Sequence, residues 1–189
     1  MNYKKYQKSR NCAWQILIDM KISSLPVRVT AICDELGIPV KVTEFEDDRD
    51  GQSTIVNGQP IILINSKVKN TGRIRFTLAH ELGHVLLGHV GTYEYVNRAS
   101  SSNYDSIERE ANMFAARLLA PACVLWGCKV KSAEEIMRLC DISHQASEYR
   151  MNRMKELYNR NKFLTSPLER KVYRRFKKFI SSYLHREDC

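Results

Sequence analysis

Nothing in the 189 residues approaches the run of about eighteen consecutive apolar residues that a membrane-spanning helix needs; stretches such as Ile61–Ile64 and Val85–Leu87 are soon broken. The N-terminus is basic, as a signal peptide's would be, but Asp19 interrupts the apolar stretch that follows. No small-residue cleavage site appears there either. Cysteine pairing is also missing. Cys12, Cys33, Cys123, Cys128, Cys140 and Cys189 are scattered, no Cys-x-x-Cys occurs, and the closest pair, Cys123 and Cys128, has four residues between its members. Together these absences point away from a disulfide scaffold and from a cysteine-built metal site. They favour reduced, mostly buried thiols in a cytoplasmic protein that does not enter membranes. There is no internal repeat and no low-complexity segment.

What is present is ordinary in bulk and uneven in charge. A hydrophobic content of 43% can fill a core, and the length fits one compact domain with a small appendage. The formal net charge is +9, of which five units fall within residues 162–189, where eight Lys and Arg meet three acids. Such a tail can serve nucleic acid, an acidic partner or solubility alone.

Periodicity predicts two helices first, one carrying Ala13, Trp14, Leu17 and Ile18, the other spanning Val29 to Leu36 and stopped by Gly37. Ile38, Val40 and Val42 alternate as in a half-buried strand. Two β-rich runs, Ser53–Val56 and Gln59–Ile64, flank Asn57-Gly58, a dipeptide that accepts the positive φ angles of a tight hairpin. From Thr71 to about Gly88 the period is helical, with Ile74, Leu78, Leu82, Val85 and Leu86 on one side. Residues 91–103 read as a loop. Asp105 with Glu108 has the pattern of a capping box opening a helix that stops at Pro121. Helices are expected at about 132–140 and 143–159. After Ser166-Pro167 one last helix carries Val172, Phe176, Phe179, Ile180, Tyr183 and Leu184 on one face and cations on the other.

One segment carries chemistry. His80-Glu81-Leu82-Gly83-His84 falls on the predicted helix from Thr71. Residues i and i+4 lie on one helix face, so both imidazoles can turn toward one ion, and neutral imidazole is a good zinc ligand. Glu81, a quarter-turn away, can reach a water at the metal without being a ligand, and act as general base. Gly83 permits close approach of another backbone. The competing reading is two ordinary histidines on an amphipathic helix, which the spacing makes the poorer choice.

A catalytic zinc needs a third protein ligand and an open position. Position 90 is valine, so no third histidine follows six residues on, and His89, five residues on, would point elsewhere on the helix. The carboxylates available on the 105–120 helix are Glu108 and Glu110. Each falls about 80° from the centre of the Ile107–Ala111–Phe114–Leu118 stripe, on opposite sides, so the helical wheel leaves both open. Tyr93, Tyr95 and His89 are the candidate donors to an oxyanion.

Two stretches resemble the ImmA/IrrE family of metallopeptidases, small bacterial and phage-associated proteins. The first runs from Arg73 through His80-Glu81-Leu82-Gly83-His84 to His89. The second, Glu108-Arg109-Glu110-Ala111-Asn112-Met113-Phe114-Ala115-Ala116-Arg117-Leu118-Leu119-Ala120-Pro121, is similar to that family's Glu-Ala-Asn-x-Phe-Ala-x-x-Leu-Leu-x-Pro. Leu25-Pro26-Val27, Ile32–Ile38, Ile61–Asn65, Ile142–Ala146 and Arg150 extend the similarity over roughly residues 8–160. Ala120, where the family often has Met, is a mild departure. The tail after 162 has no counterpart.

The resemblance implies a mainly helical, zincin-like α+β fold with a small β-sheet beside the active-site helix. It implies one zinc ion (Zn2+) per chain on His80, His84 and Glu110, with Glu81 as catalytic base and Glu108 an ordinary first-turn acid. The implied substrate is a helix-turn-helix transcriptional repressor, cut at a specific site. Residues 132–158 themselves read loosely as helix-turn-helix with Asp141-Ile142-Ser143 as the turn, more suited to packing than to DNA. The expected organisation is a metallopeptidase domain over 1–161 and a basic amphipathic helix over 162–189, with weak nucleic-acid contact through the latter. The alternative function is a regulatory protein that keeps zinc but does not cleave.

Overall fold

The computed structural model describes residues 6–90 and 101–187, the side chains of 101–104 and of 186–187 excepted. The described residues form, in order, α1 (Gln7–Asp19), α2 (Val29–Glu35), β1 (Val40–Thr43), β2 (Gly51–Val56), β3 (Gln59–Asn65), α3 (Thr71–Leu87), α4 (Ser101–Leu119), α5 (Ala122–Gly127), α6 (Ala133–Cys140), α7 (His144–Asn159), α8 (Pro167–Arg175) and α9 (Lys177–Glu187). The protein is mainly helical α+β with one small sheet.

The chain forms two compact units: Met1–Cys12 with Arg28–Ala115, and Ala13–Val27 with Ala116–Cys189. Residues 116–161 and the basic tail share one unit, because Val172, Phe176 and Ile180 bury their side chains there and α8 packs on α5.

In the first unit, α2 ends as its sequence predicts, with Gly37 at φ 65°. The sheet order is β1-β3-β2. Asn57 (φ 51°) and Gly58 (φ 77°) make the hairpin between β2 and β3, with Val56 opposite Gln59 and Gly51 opposite Ile64. β1 joins β3 in parallel, Val40 beside Ile62. As an edge strand it does not show the expected burial: Val42 is 72% exposed, since α3 lies over β2 and β3. Ile62 and Ile64, on the central strand, are buried.

Helix α3 begins and ends on strong signals. The Asn70 side chain accepts from the Arg73 N–H, and Gly88 closes the helix in the left-handed region at φ 76°. Its seat on the sheet depends on Gly51. A Cβ there would lie 2.7 Å from Thr77 Cγ2, 3.0 Å from the Leu63 carbonyl oxygen and 3.4 Å from Glu81 Cγ. Backbone cannot yield as a long side chain can. Gly51→Ala is therefore expected to cost about 1–3 kcal/mol as an overpacked contact, read as a fall in the thermal midpoint; an unchanged midpoint would contradict this packing.

Helix α4 starts at Ser101, so Asp105 lies inside it and is not the N-cap of a capping box. Residues 101–103, expected in a loop, are helical; the rest of that expected loop lies outside the described residues.

In the second unit, α6 and α7 match the expected helices. Ser132 and Ser143 cap them, and Asp141 takes φ 50° at the turn between. The last helix is two: α8 is capped by Ser166 with Pro167 in its first turn, and the chain breaks at Phe176 before α9. Phe176 is fully buried at that break. Tyr173 and Ile180 close over Gly127, where a Cβ would come within 2.8 Å of each. Among the described residues the cysteines are free. Burial pushes the Cys33 and Cys140 thiols up to about 12 and raises those of Cys12 and Cys123.

Candidate metal centre

His80 and His84 stand one turn apart on α3, and their Nε2 atoms meet at 2.9 Å. The third member of the cluster comes from α4. Glu108 Oε2 is 3.2 Å from His80 Nε2, and its Oε1 is 3.4 Å from His84 Nε2. Among the described residues these are the one group of three metal-type side chains that converges, with ligand atoms within 4.8 Å of one another.

The acid that joins the histidines is thus Glu108, not the Glu110 expected from the resemblance. Glu110 turns its Oε2 to His89, 3.5 Å from that ring's Nε2. The helical wheel put the two acids on opposite flanks of one apolar stripe, but it could not tell which flank faces His80. Phe114, from that stripe, seats α4 on α3: a Cβ on Gly83 would come within 3.0 Å of its ring. Gly83 accordingly makes room for an aromatic side chain rather than for a backbone. With the stripe so placed, Glu108 and Asn112, one turn apart, share the flank toward the histidine pair.

Asn112 was not singled out in the sequence, although it stands in the Glu-Ala-Asn motif. Its Oδ1 lies 3.0 Å from His80 Nδ1. An amide oxygen can only accept, so His80 carries its proton on Nδ1 and offers Nε2 to the cluster. His89 also departs from expectation. It lies beyond the helix end, and the left-handed turn at Gly88 brings its Nδ1 to 3.2 Å from His84 Nδ1.

Glu81 is buried at 7% exposure and stays outside the three-residue cluster. Its carboxylate accepts a hydrogen bond from the Ser53 hydroxyl, Oγ to Oε2, 2.9 Å. Ser53 carries no sequence signal of its own. It sits two residues past Gly51, on the strand face toward α3, which is why Gly51's close contact also sets this one. Burial disfavours charge on His80, but its hydrogen bond to Glu108 and the charges of Glu81 and Glu108 prevail, raising its pKa. The His89 pKa is lowered, by burial first and then by His84, against the pull of Glu110. The negative charge gathered around His80 suits a cation. Tyr93 and Tyr95 lie outside the described residues.

The cluster fits zinc. Tetrahedral bonds of about 2.0–2.2 Å put neighbouring ligand atoms about 3.3–3.6 Å apart; the contacts here are 2.9 Å between the imidazoles and 3.2 and 3.4 Å from them to the two Glu108 oxygens. Two imidazoles and a carboxylate are the donor types of an open, catalytic zinc site.

A helix with two ligand-type histidines, set on a small sheet and faced by an acid from the next long helix, defines a metallopeptidase-like scaffold. The chain belongs to the Peptidase_M78 family, the IrrE N-terminal-like domain, whose profile matches residues 33–152. No curated protein matches it. Among solved structures, a Mycobacterium tuberculosis transcriptional regulator shares the fold with a TM-score of 0.56 and 14% identity, over 76% of this chain. The match spans 46% of that longer chain. Among the described residues, no helix is long and apolar enough to cross a membrane.

Proposed function

We propose that this protein is a zinc-dependent endopeptidase, with His80, His84 and Glu108 as the protein ligands and Glu81 as general base. The observation that carries this is the convergence of the two imidazole Nε2 atoms and the Glu108 carboxylate, with ligand atoms within 4.8 Å of one another. When bound, zinc supplies Lewis acidity, lowering the pKa of water and polarising a carbonyl. Everything else falls to the chain. Asn112 holds the His80 ring so that Nε2 faces the ion. Ser53 fixes one oxygen of Glu81, leaving the other to take a proton from the attacking water and pass it to the departing amine. A site that only stores a structural ion has no need of a buried carboxylate held beside it, which favours the enzyme over the non-cleaving regulator.

The substrate we propose is a helix-turn-helix transcriptional repressor, met in the cytoplasm, and the reading rests on family membership. The test is incubation of candidate repressors with wild type and Glu81→Gln. Cleavage at one bond by wild type alone supports the reading; equal effects of both on the repressor's activity would establish the non-cleaving regulator instead.

Two surfaces bear on nucleic acid. The exposed face of α7, with Glu148, Tyr149, Asn152 and Lys155, borders a cavity of about 650 Å³ also lined by Lys131 and Glu134. Its two cations and two anions cancel, so it offers little to phosphate. The tail differs. Arg170, Lys171, Arg174, Arg175, Lys177 and Lys178 are all exposed, while Glu169, the acid among them, is buried and caps the segment through the Thr165 N–H. We place weak nucleic-acid contact there. Deleting the tail would remove the buried Val172, Phe176 and Ile180 and uncover the core they pack on, so charge reversal is the cleaner variant. Lys171→Glu/Arg174→Glu/Lys178→Glu is expected to abolish salt-dependent DNA retention without lowering the thermal midpoint. Retention equal to wild type would remove the proposal.

A further inference from the structure

The zinc site accounts for Glu108 but leaves a second pair unexplained: the buried His89 and the part-exposed Glu110, in line behind His84. Resting on the reading of His84 as a ligand, we propose that Glu110 and His89 are positioning residues that fix the tautomer and orientation of the His84 ring.

The argument is one of proton counting along a chain of contacts. His84 Nε2 faces Glu108 and His80 Nε2, so its lone pair must point there if it is to hold a cation. A neutral imidazole then carries its one proton on Nδ1. That Nδ1 lies 3.2 Å from Nδ1 of His89, in a buried setting where an unsatisfied N–H is costly. For His84 to donate, His89 must accept through Nδ1, which places the His89 proton on Nε2. That Nε2 is the atom 3.5 Å from the Glu110 carboxylate, and a carboxylate only accepts. One arrangement therefore satisfies this chain of contacts: Glu110 accepts from His89 Nε2–H, His89 Nδ1 accepts from His84 Nδ1–H, and His84 Nε2 turns its lone pair toward the cluster. Reversing the His84 tautomer would put two bare nitrogens against each other at Nδ1 and a proton in the ligand position.

The two ligand histidines are thus held differently. A single amide oxygen, from Asn112, anchors His80. His84 is anchored through a second ring to an acid. The turn at Gly88 makes this possible by swinging His89 back over the helix end, where its backbone N–H also donates to the His84 carbonyl at 2.9 Å.

The experiment reads metal affinity and ring tautomers, not turnover. Zinc dissociation constants are measured by chelator competition on wild type, Glu108→Gln, Glu110→Gln, His89→Phe and His89→Gln. Long-range 1H–15N spectra of the apo proteins report which His84 nitrogen bears the proton. Glu110→Gln and His89→Phe are expected to keep one zinc per chain while weakening it about 10–100-fold, as outer-sphere losses do. His84 should also pass from the Nδ1–H form to a mixture. His89→Gln, whose amide oxygen can still accept, should recover part of the affinity. If Glu110→Gln and His89→Phe bind zinc like wild type with His84 unchanged, the positioning role is overturned. Should His89→Phe not fold, Glu110→Gln alone decides. Failure of wild type to bind zinc at all would instead overturn the parent reading of the site, as would retention of wild-type affinity by Glu108→Gln.

Discussion

Glu108→Gln is expected to strip the protein of tightly held zinc, while Glu110→Gln keeps one ion per chain. The two acids lie two residues apart on one helix, and both are part-exposed carboxylates near a histidine. Their geometry separates them. Glu108 reaches both Nε2 atoms at 3.2 and 3.4 Å, and Glu110 reaches only His89. The amide of glutamine keeps the shape of the side chain but loses its charge and half its acceptor capacity, so a fold effect is small and a ligand effect large. The loss of affinity at Glu108 should exceed the roughly 10–100-fold expected of an outer-sphere partner. Metal content by mass spectrometry after extensive dialysis reads this directly. A Glu108 variant that retains zinc, beside a Glu110 variant that loses it, would exchange the roles of the two acids.

The second large effect belongs to Glu81. Its carboxylate is buried, held by Ser53 and excluded from the cluster of ligand atoms, yet its charge acts on His80. That is the placement of a base rather than of a ligand. Glu81→Gln is expected to lower kcat by about 10²–10⁴-fold, the span of general-base assistance, with zinc stoichiometry unchanged. Ground-state binding of the substrate should survive, so the loss falls on kcat and KM changes little. A Glu81 variant that cleaves as fast as wild type would return this residue to a structural role.

How much of this was legible in the residues alone varies by feature. The Asn57-Gly58 hairpin, the α3 boundaries at Asn70 and Gly88, and the paired helices around Asp141 all rest on local signals, and local signals are what a sequence displays. The start of α4 was misplaced because Asp105 and Glu108 mimic a capping box four residues inside the helix. The single tail helix was misjudged because the break at Phe176 follows from burial of that ring, not from any glycine or proline. At the site, the His80–His84 pair was readable from spacing. Choosing Glu108 over Glu110 needed the direction from which α4 meets α3, set by Phe114 against Gly83. Ser53 depends on strand register, and His89 on a reversal of the chain at Gly88. Neither leaves a pattern in the sequence, since both are contacts made by tertiary structure.

The most direct measurement of the central claim is a zinc-soaked crystal, recorded on both sides of the zinc absorption edge. The account predicts one anomalous peak about 2.0–2.2 Å from His80 Nε2, His84 Nε2 and a Glu108 oxygen, with Glu81 outside bonding distance. A peak ligated by Glu110 or His89, or no peak between the histidines at saturating zinc, would contradict it.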